Sequence, residues 1–114
     1  MDATIKKHFI EELGIDDHEL IQGLCDEYRQ LLTKSVAEMT DLLQNGDYAQ
    51  IKTVGHKIKG AALAVGHHAM SQTAIGLEDA ALNADKNACQ AGLEQVRNYL
   101  ALHNVPSKNE SETF

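Results

Sequence analysis

The sequence predicts an all-α fold: an antiparallel up-down-up-down four-helix bundle with an extra short N-terminal helix. Three observations predict it. Ala, Leu, Gln, Glu and Lys are plentiful, tryptophan is absent and there is one proline, a composition that favours helix over sheet. Apolar residues recur by threes and fours along four long stretches, and none alternates as a strand does. The connections between these stretches are short, which makes consecutive helices antiparallel neighbours and excludes the long crossovers of ferritin-like and cytokine bundles. The 114 residues suit one domain, assigned to 1–104, and the polar residues 105–114 are expected to form a disordered tail.

Taken in order, residues 3–13 form the short helix, with Ile5, Phe9 and Leu13 on its inner side and Gly14 as its stop. Asp16 and Glu19, three apart, read as a capping box opening the second helix. That helix runs to about Gln44 on a stripe of Leu20, Leu24, Tyr28, Leu31, Leu32, Met39, Leu42 and Leu43. Asn45-Gly46 ends it and Asp47 caps the third helix, about 48–65, which Gly66 terminates. The fourth, about 67–83, carries Met70, Ala74, Leu77 and Ala81 on an alanine-rich face that lets a neighbour approach closely. Asp85 caps the fifth, 86–103, whose stripe is Cys89, Leu93, Val96 and Leu100.

Composition excludes several classes of function. The formal net charge of −7 argues against nucleic-acid binding. No apolar run is long enough for a transmembrane span, and the N-terminus lacks the apolar core of a signal peptide, so a cytoplasmic protein is expected. Cys25 and Cys89 form no C-x-x-C pair and read as small core residues. No histidine has Glu three residues before it, and no H-E-x-x-H occurs, which removes di-metal bundle and metalloprotease readings. Met1 and the polar tail fit a free-standing protein; a domain cut from a larger sensor kinase is the other reading.

One stretch stands out from the acidic background. From Asp47 to Gly66 the chain holds Lys52, Lys57 and Lys59 against Asp47, a local charge of +2. On the third helix Ile51, Val54, Ile58, Ala61, Ala62 and Val65 fall within an arc of roughly 100°. His56 lies roughly 180° from its centre and is expected to face solvent. Lys59 and Gly60 follow it at i+3 and i+4, and Lys52 and Leu63 share its side. A neutral imidazole has a nucleophilic nitrogen, a lysine offers a point charge for a phosphoryl group, and a mid-helix glycine removes bulk at a cost of about 1 kcal/mol.

At these residues the sequence resembles the histidine-containing phosphotransfer (HPt) domains of multistep phosphorelays. The family pattern is a histidine, any residue, an aliphatic, then Lys-Gly and two small residues, matched by His56, Lys57, Ile58, Lys59, Gly60, Ala61 and Ala62. Gly66 matches a glycine ten positions after the histidine, and Met70, Ala74, Leu77 and Glu78 continue the pattern. The motif covers about 23 residues, and the bundle extends the agreement to most of the chain. His67 departs from it, standing where alanine is frequent; it and His68 are expected on the surface.

The resemblance implies that His56 is phosphorylated at Nε2, that Lys59 sits beside the phosphoryl group, and that Gly60 admits the partner's active-site loop. It implies that Glu78, where the family often has Gln, accepts from Nδ1–H. The expected partners are response-regulator receiver domains and a hybrid sensor histidine kinase. No cofactor is expected, Mg²⁺ being supplied by the receiver, and neither is autonomous kinase or ATPase activity, since no P-loop or kinase glycine motif is present. Lys52, Lys57, Leu63 and Ile10 are the docking candidates, Ile10 because it lies off the Ile5/Phe9/Leu13 stripe, and a monomer is expected. The rival reading is a helical interaction module without phosphotransfer, since fold alone does not determine function.

Overall fold

A computed structural model of the chain describes residues 2–103. The expected tail, 105–114, lies outside them. The helices are α1 (Ala3–Lys7), α2 (His18–Gln44), α3 (Tyr48–Ala64), α4 (His68–Leu82) and α5 (Lys86–His103). Helix α2 packs against α3 and α5, and α4 closes the ring between them, giving an all-α four-helix bundle with α1 as the extra N-terminal piece. The core is one continuous cluster. It includes Ile21, Cys25, Tyr28, Leu32 and Met39 from α2, Ile51, Val54 and Ile58 from α3, Leu77 from α4 and Val96 from α5.

Aspartates set most helix starts. Asp2 accepts from Thr4 N–H at 2.7 Å, Asp47 from Gln50 N–H at 3.2 Å and Asp85 from Ala88 N–H at 3.1 Å, each satisfying an amide that has no partner within its helix. The start of α2 differs from expectation. Asp17, not Asp16, is the cap, accepting from Leu20 N–H at 3.1 Å. Three residues past Asp17 stands Leu20, so no capping box with Glu19 forms.

Two apolar stripes are also shifted. On α2 the buried positions are Ile21, Cys25, Tyr28, Leu32, Ser35, Met39 and Leu43, a continuous three-and-four series. Leu20 is 49% exposed, and Leu24, Leu31 and Leu42 flank the core half-buried. The predicted stripe thus mixed the core series with the flank one position away. In the N-terminal segment, α1 continues into a π-helical turn, His8–Glu12, with Leu13 N–H bonded to His8 C=O at 3.1 Å. The wider turn breaks the 3.6-residue register. Ile5 and Phe9 stay buried, Leu13 turns out to solvent, and Ile15 packs on the core instead.

His67 is the largest departure. Expected on the surface, it is 8% exposed, at the position just before α4, while His68 is exposed. Its Nδ1 lies 2.7 Å from the Tyr28 hydroxyl and its ring packs on Tyr99, centroids 4.6 Å apart. Tyr99 in turn donates to the buried Asp2 carboxylate at 2.6 Å. Burial pushes the Tyr28 hydroxyl well above its usual range, so it stays protonated and donates to neutral His67.

Burial likewise holds the His67 imidazole below its ordinary value of 6.5, against the pull of Asp2 and with the help of His103 and His68. In the unfolded chain the ring takes up its proton near pH 6.5, and in the folded chain only at lower pH, so stability is full above that value and falls as pH drops below it. Denaturant midpoints taken between pH 8 and pH 5 are expected to show this decline. His67→Ala is expected to be less stable throughout and to lose that part of the slope.

Candidate functional site

Burial of Ile51, Val54, Ile58 and Ala62 turns the opposite side of α3 outward. The His56 side chain is accordingly 72% exposed. Helix α4 meets α3 closely at this point because Gly55 stands in the contact. A Cβ there would lie 3.3 Å from Glu78 Cγ and 3.5 Å from the Ala74 carbonyl oxygen. Glu78, 22 residues beyond His56, is thereby brought over the ring, its Oε2 3.3 Å from His56 Nδ1. Its Oε1 takes an ion pair with Lys59 Nζ at 2.9 Å.

The ion pair has a clear electrostatic signature. The Lys59 ammonium, through its hydrogen bond, holds the Glu78 carboxyl below its ordinary value of 4.5 despite partial burial, and His56 adds to the effect. An ionised carboxylate only accepts, so Nδ1 is the donating nitrogen. The other ring nitrogen, Nε2, then carries the free lone pair on a ring open to solvent.

Gly60 is exposed, and a Cβ built on it meets nothing within 4 Å. Its missing side chain serves no packing among the described residues. Lys52 is exposed and lines a shallow groove of about 460 Å³ with Ala49, Thr53, His56 and Glu78. Lys57, next to His56 in sequence, is exposed, and Leu63, 52% exposed, lies further along α3. Ile10 is different: it is half-buried and packs against the core, so only an edge of it is available. Sequence reasoning also passed over a second groove of about 300 Å³, where Leu24 and Leu31 of α2 face Ala61, Ala64 and Val65. Its signal was the surplus of leucines on α2, more than one inward stripe can hold.

Among the described residues no group of three or more His, Cys, Asp or Glu side chains could hold a metal ion, and no helix is long and apolar enough to cross a membrane. The Hpt domain family model matches residues 19–103, from the first turn of α2 to the end of α5. The chain belongs to the Hpt domain family. No curated protein and no solved structure matches it. Hpt domains serve histidine phosphotransfer in phosphorelays, acting with receiver domains and kinases as phosphocarriers rather than catalysts. In this Hpt domain the matched region is the four-helix bundle itself, and α1 with its π-helical turn precedes it.

Proposed function

We propose that this Hpt domain accepts a phosphoryl group from a receiver-domain aspartate onto His56 and passes it to a second receiver aspartate. The observation that carries the reading is the His56 ring itself. It is exposed, its Nδ1 is engaged by Glu78, and open space lies at Gly60 one turn on.

The step balances without an added reactant. The Nε2 lone pair attacks phosphorus in line; the N–P bond forms as the acyl phosphate P–O bond breaks, and the electron pair leaves with the aspartate carboxylate. The ring keeps its Nδ1 proton toward Glu78 and carries the positive charge. When the next aspartate attacks phosphorus, the N–P pair returns to Nε2 and neutral imidazole leaves. Phosphoryl transfer of this kind depends on positioning and on neutralising charge, so a surface histidine in the right frame suffices. Mg²⁺ belongs to the receiver in this scheme, and the protein carries no cofactor and no kinase or ATPase activity of its own. A hybrid sensor kinase carries the donating receiver. The carrier works as a monomer in the cytoplasm, where such receivers meet it.

The test is direct. Incubation with a phosphorylated receiver should move the label to this protein, in an acid-labile, base-stable form. Absence of label after exposure to a full panel of phosphorylated receivers would end the reading.

Docking uses the outward face of α3, with Lys52 and Lys57 at its polar part and Leu63 as apolar surface, and extends to the Leu24/Leu31 groove at the seam between α2 and α3. Leu63→Glu is expected to weaken receiver binding about tenfold by burying a charge in the contact. Its helical melt should stay within a few degrees of wild type, because the side chain is half in solvent. Binding by titration calorimetry and melting by circular dichroism read the two effects separately.

A further inference from the structure

One carboxylate serves two groups at this site. Glu78 Oε1 holds Lys59 Nζ at 2.9 Å while Oε2 faces His56 Nδ1 at 3.3 Å. The Lys59 side chain is 29% exposed and that of Glu78 16%, against 72% for His56. The ammonium is therefore parked on the inner, Nδ1 side of the ring. A phosphoryl group on Nε2 would stand on the outer side. Lysine is a point charge on a flexible four-carbon stem, free to swing between partners on the two sides.

From this arrangement we infer that Glu78 competes with the phosphoryl group of His56 for the Lys59 ammonium, and so sets how strongly the carrier holds its cargo. The inference rests on the phosphocarrier reading above. Two anions then share one cation. The dianionic phosphoryl group draws Lys59 outward, and the ionised Glu78 draws it back. Lys59 spends part of its time away from the phosphoryl group, and the group is held less firmly than a fully committed lysine would hold it. A carrier placed between two aspartates gains from this: it loads, yet it does not trap. The contact is built into the fold by Gly55, which lets α4 come close enough for one side chain to reach both partners.

Glu78→Gln keeps the shape and an acceptor oxygen for Nδ1–H but removes the charge that holds Lys59. A double-mutant cycle isolates the competition, because any effect of residue 78 on the ring alone is common to both lysine backgrounds. The four proteins are wild type, Glu78→Gln, Lys59→Ala and the double variant. Each is equilibrated with a receiver domain loaded from a small acyl phosphate, and the phosphoryl distribution is measured. In wild type Lys59 is divided between two anions, and in Glu78→Gln it is committed to one. Lys59→Ala should therefore lower the phosphorylated fraction more in the Glu78→Gln background than in the wild-type background, by about threefold to tenfold in the transfer equilibrium constant. Equal effects in the two backgrounds, or a larger effect in wild type, would overturn the inference.

A second readout needs no phosphotransfer. Reductive ¹³C-methylation leaves lysine charged, and the Lys59 methyl resonance should move on Glu78→Gln in the unphosphorylated protein. An unmoved resonance would remove the ion pair and the inference with it, while wild-type labelling by the receiver would leave the carrier reading standing. Failure of all four proteins to take label would instead remove the carrier reading, and the inference that depends on it.

Discussion

His56→Gln is expected to abolish phosphoryl uptake while leaving the bundle intact. The side chain is 72% exposed and contributes nothing to the core, so the melting temperature should shift by no more than about 2 °C. Glutamine has a similar reach and an amide N–H that can face Glu78, so the local hydrogen bonding can be largely kept. Its amide nitrogen, however, has its lone pair tied into the carbonyl and is no nucleophile. Label transferred from a phosphorylated receiver should fall to background, a loss of at least about 100-fold on the scale of an essential nucleophile. Five other histidines remain in the variant, which makes the result decisive in both directions. Persistent acid-labile label would assign the chemistry to another ring, His68 being the nearest exposed one in sequence. An unlabelled variant that retained every partner function would favour a helical interaction module instead.

Much of this fold is written locally, and the parts that are not share a cause. The starts of α3 and α5 follow from Asp47 and Asp85, whose caps work on amides three residues ahead, and the stop of α3 follows from Gly66. The rotation of α3 is legible because its apolar residues fill one narrow arc and leave His56 opposite. On α2 two adjacent stripes both repeat by threes and fours. Only packing decides between the Ile21/Cys25 series and the Leu20/Leu24 series, and local spacing cannot. The π-helical turn at His8–Glu12 carries no spacing signal of its own. His67 is buried because Tyr28, 39 residues away, meets its Nδ1; a polar residue beside a helix start otherwise reads as surface.

The candidate site divides along the same line. The outward direction of His56 comes from periodicity, whereas the offset to Glu78 came from a family resemblance. The closeness of α3 and α4 that joins the two depends on Gly55, which was passed over because a glycine on the buried side of a helix gives no apolar signal. The Lys59–Glu78 ion pair, across that same helix contact, could not be read from one helix alone.

Gly66→Ala is expected to be the most damaging small substitution in the chain. Gly66 joins α3 to α4 at φ +71°, in the left-handed region where an L side chain costs about 1–2 kcal/mol. It also carries a tertiary constraint. A Cβ there would overlap the His8 ring at Cγ and lie 2.6 Å from His8 Cβ, and the latter is fixed to the backbone of the N-terminal segment. The segment must therefore shift as a body, an overpacking cost of about 1–3 kcal/mol. Together these give a loss of about 3 kcal/mol, or roughly 12 °C in melting temperature for a domain of this size. Thermal unfolding by circular dichroism measures it. His8→Ala in the same background removes the ring but not the Cβ, so it should restore only part of the loss. Full recovery would mean that neither the positive φ nor the His8 Cβ adds to the cost, and no recovery would place the cost in those two and none of it in the ring. Below its lowered melting temperature the variant should still take label on His56, because the clash lies against the N-terminal segment while the imidazole is held by α3 and α4.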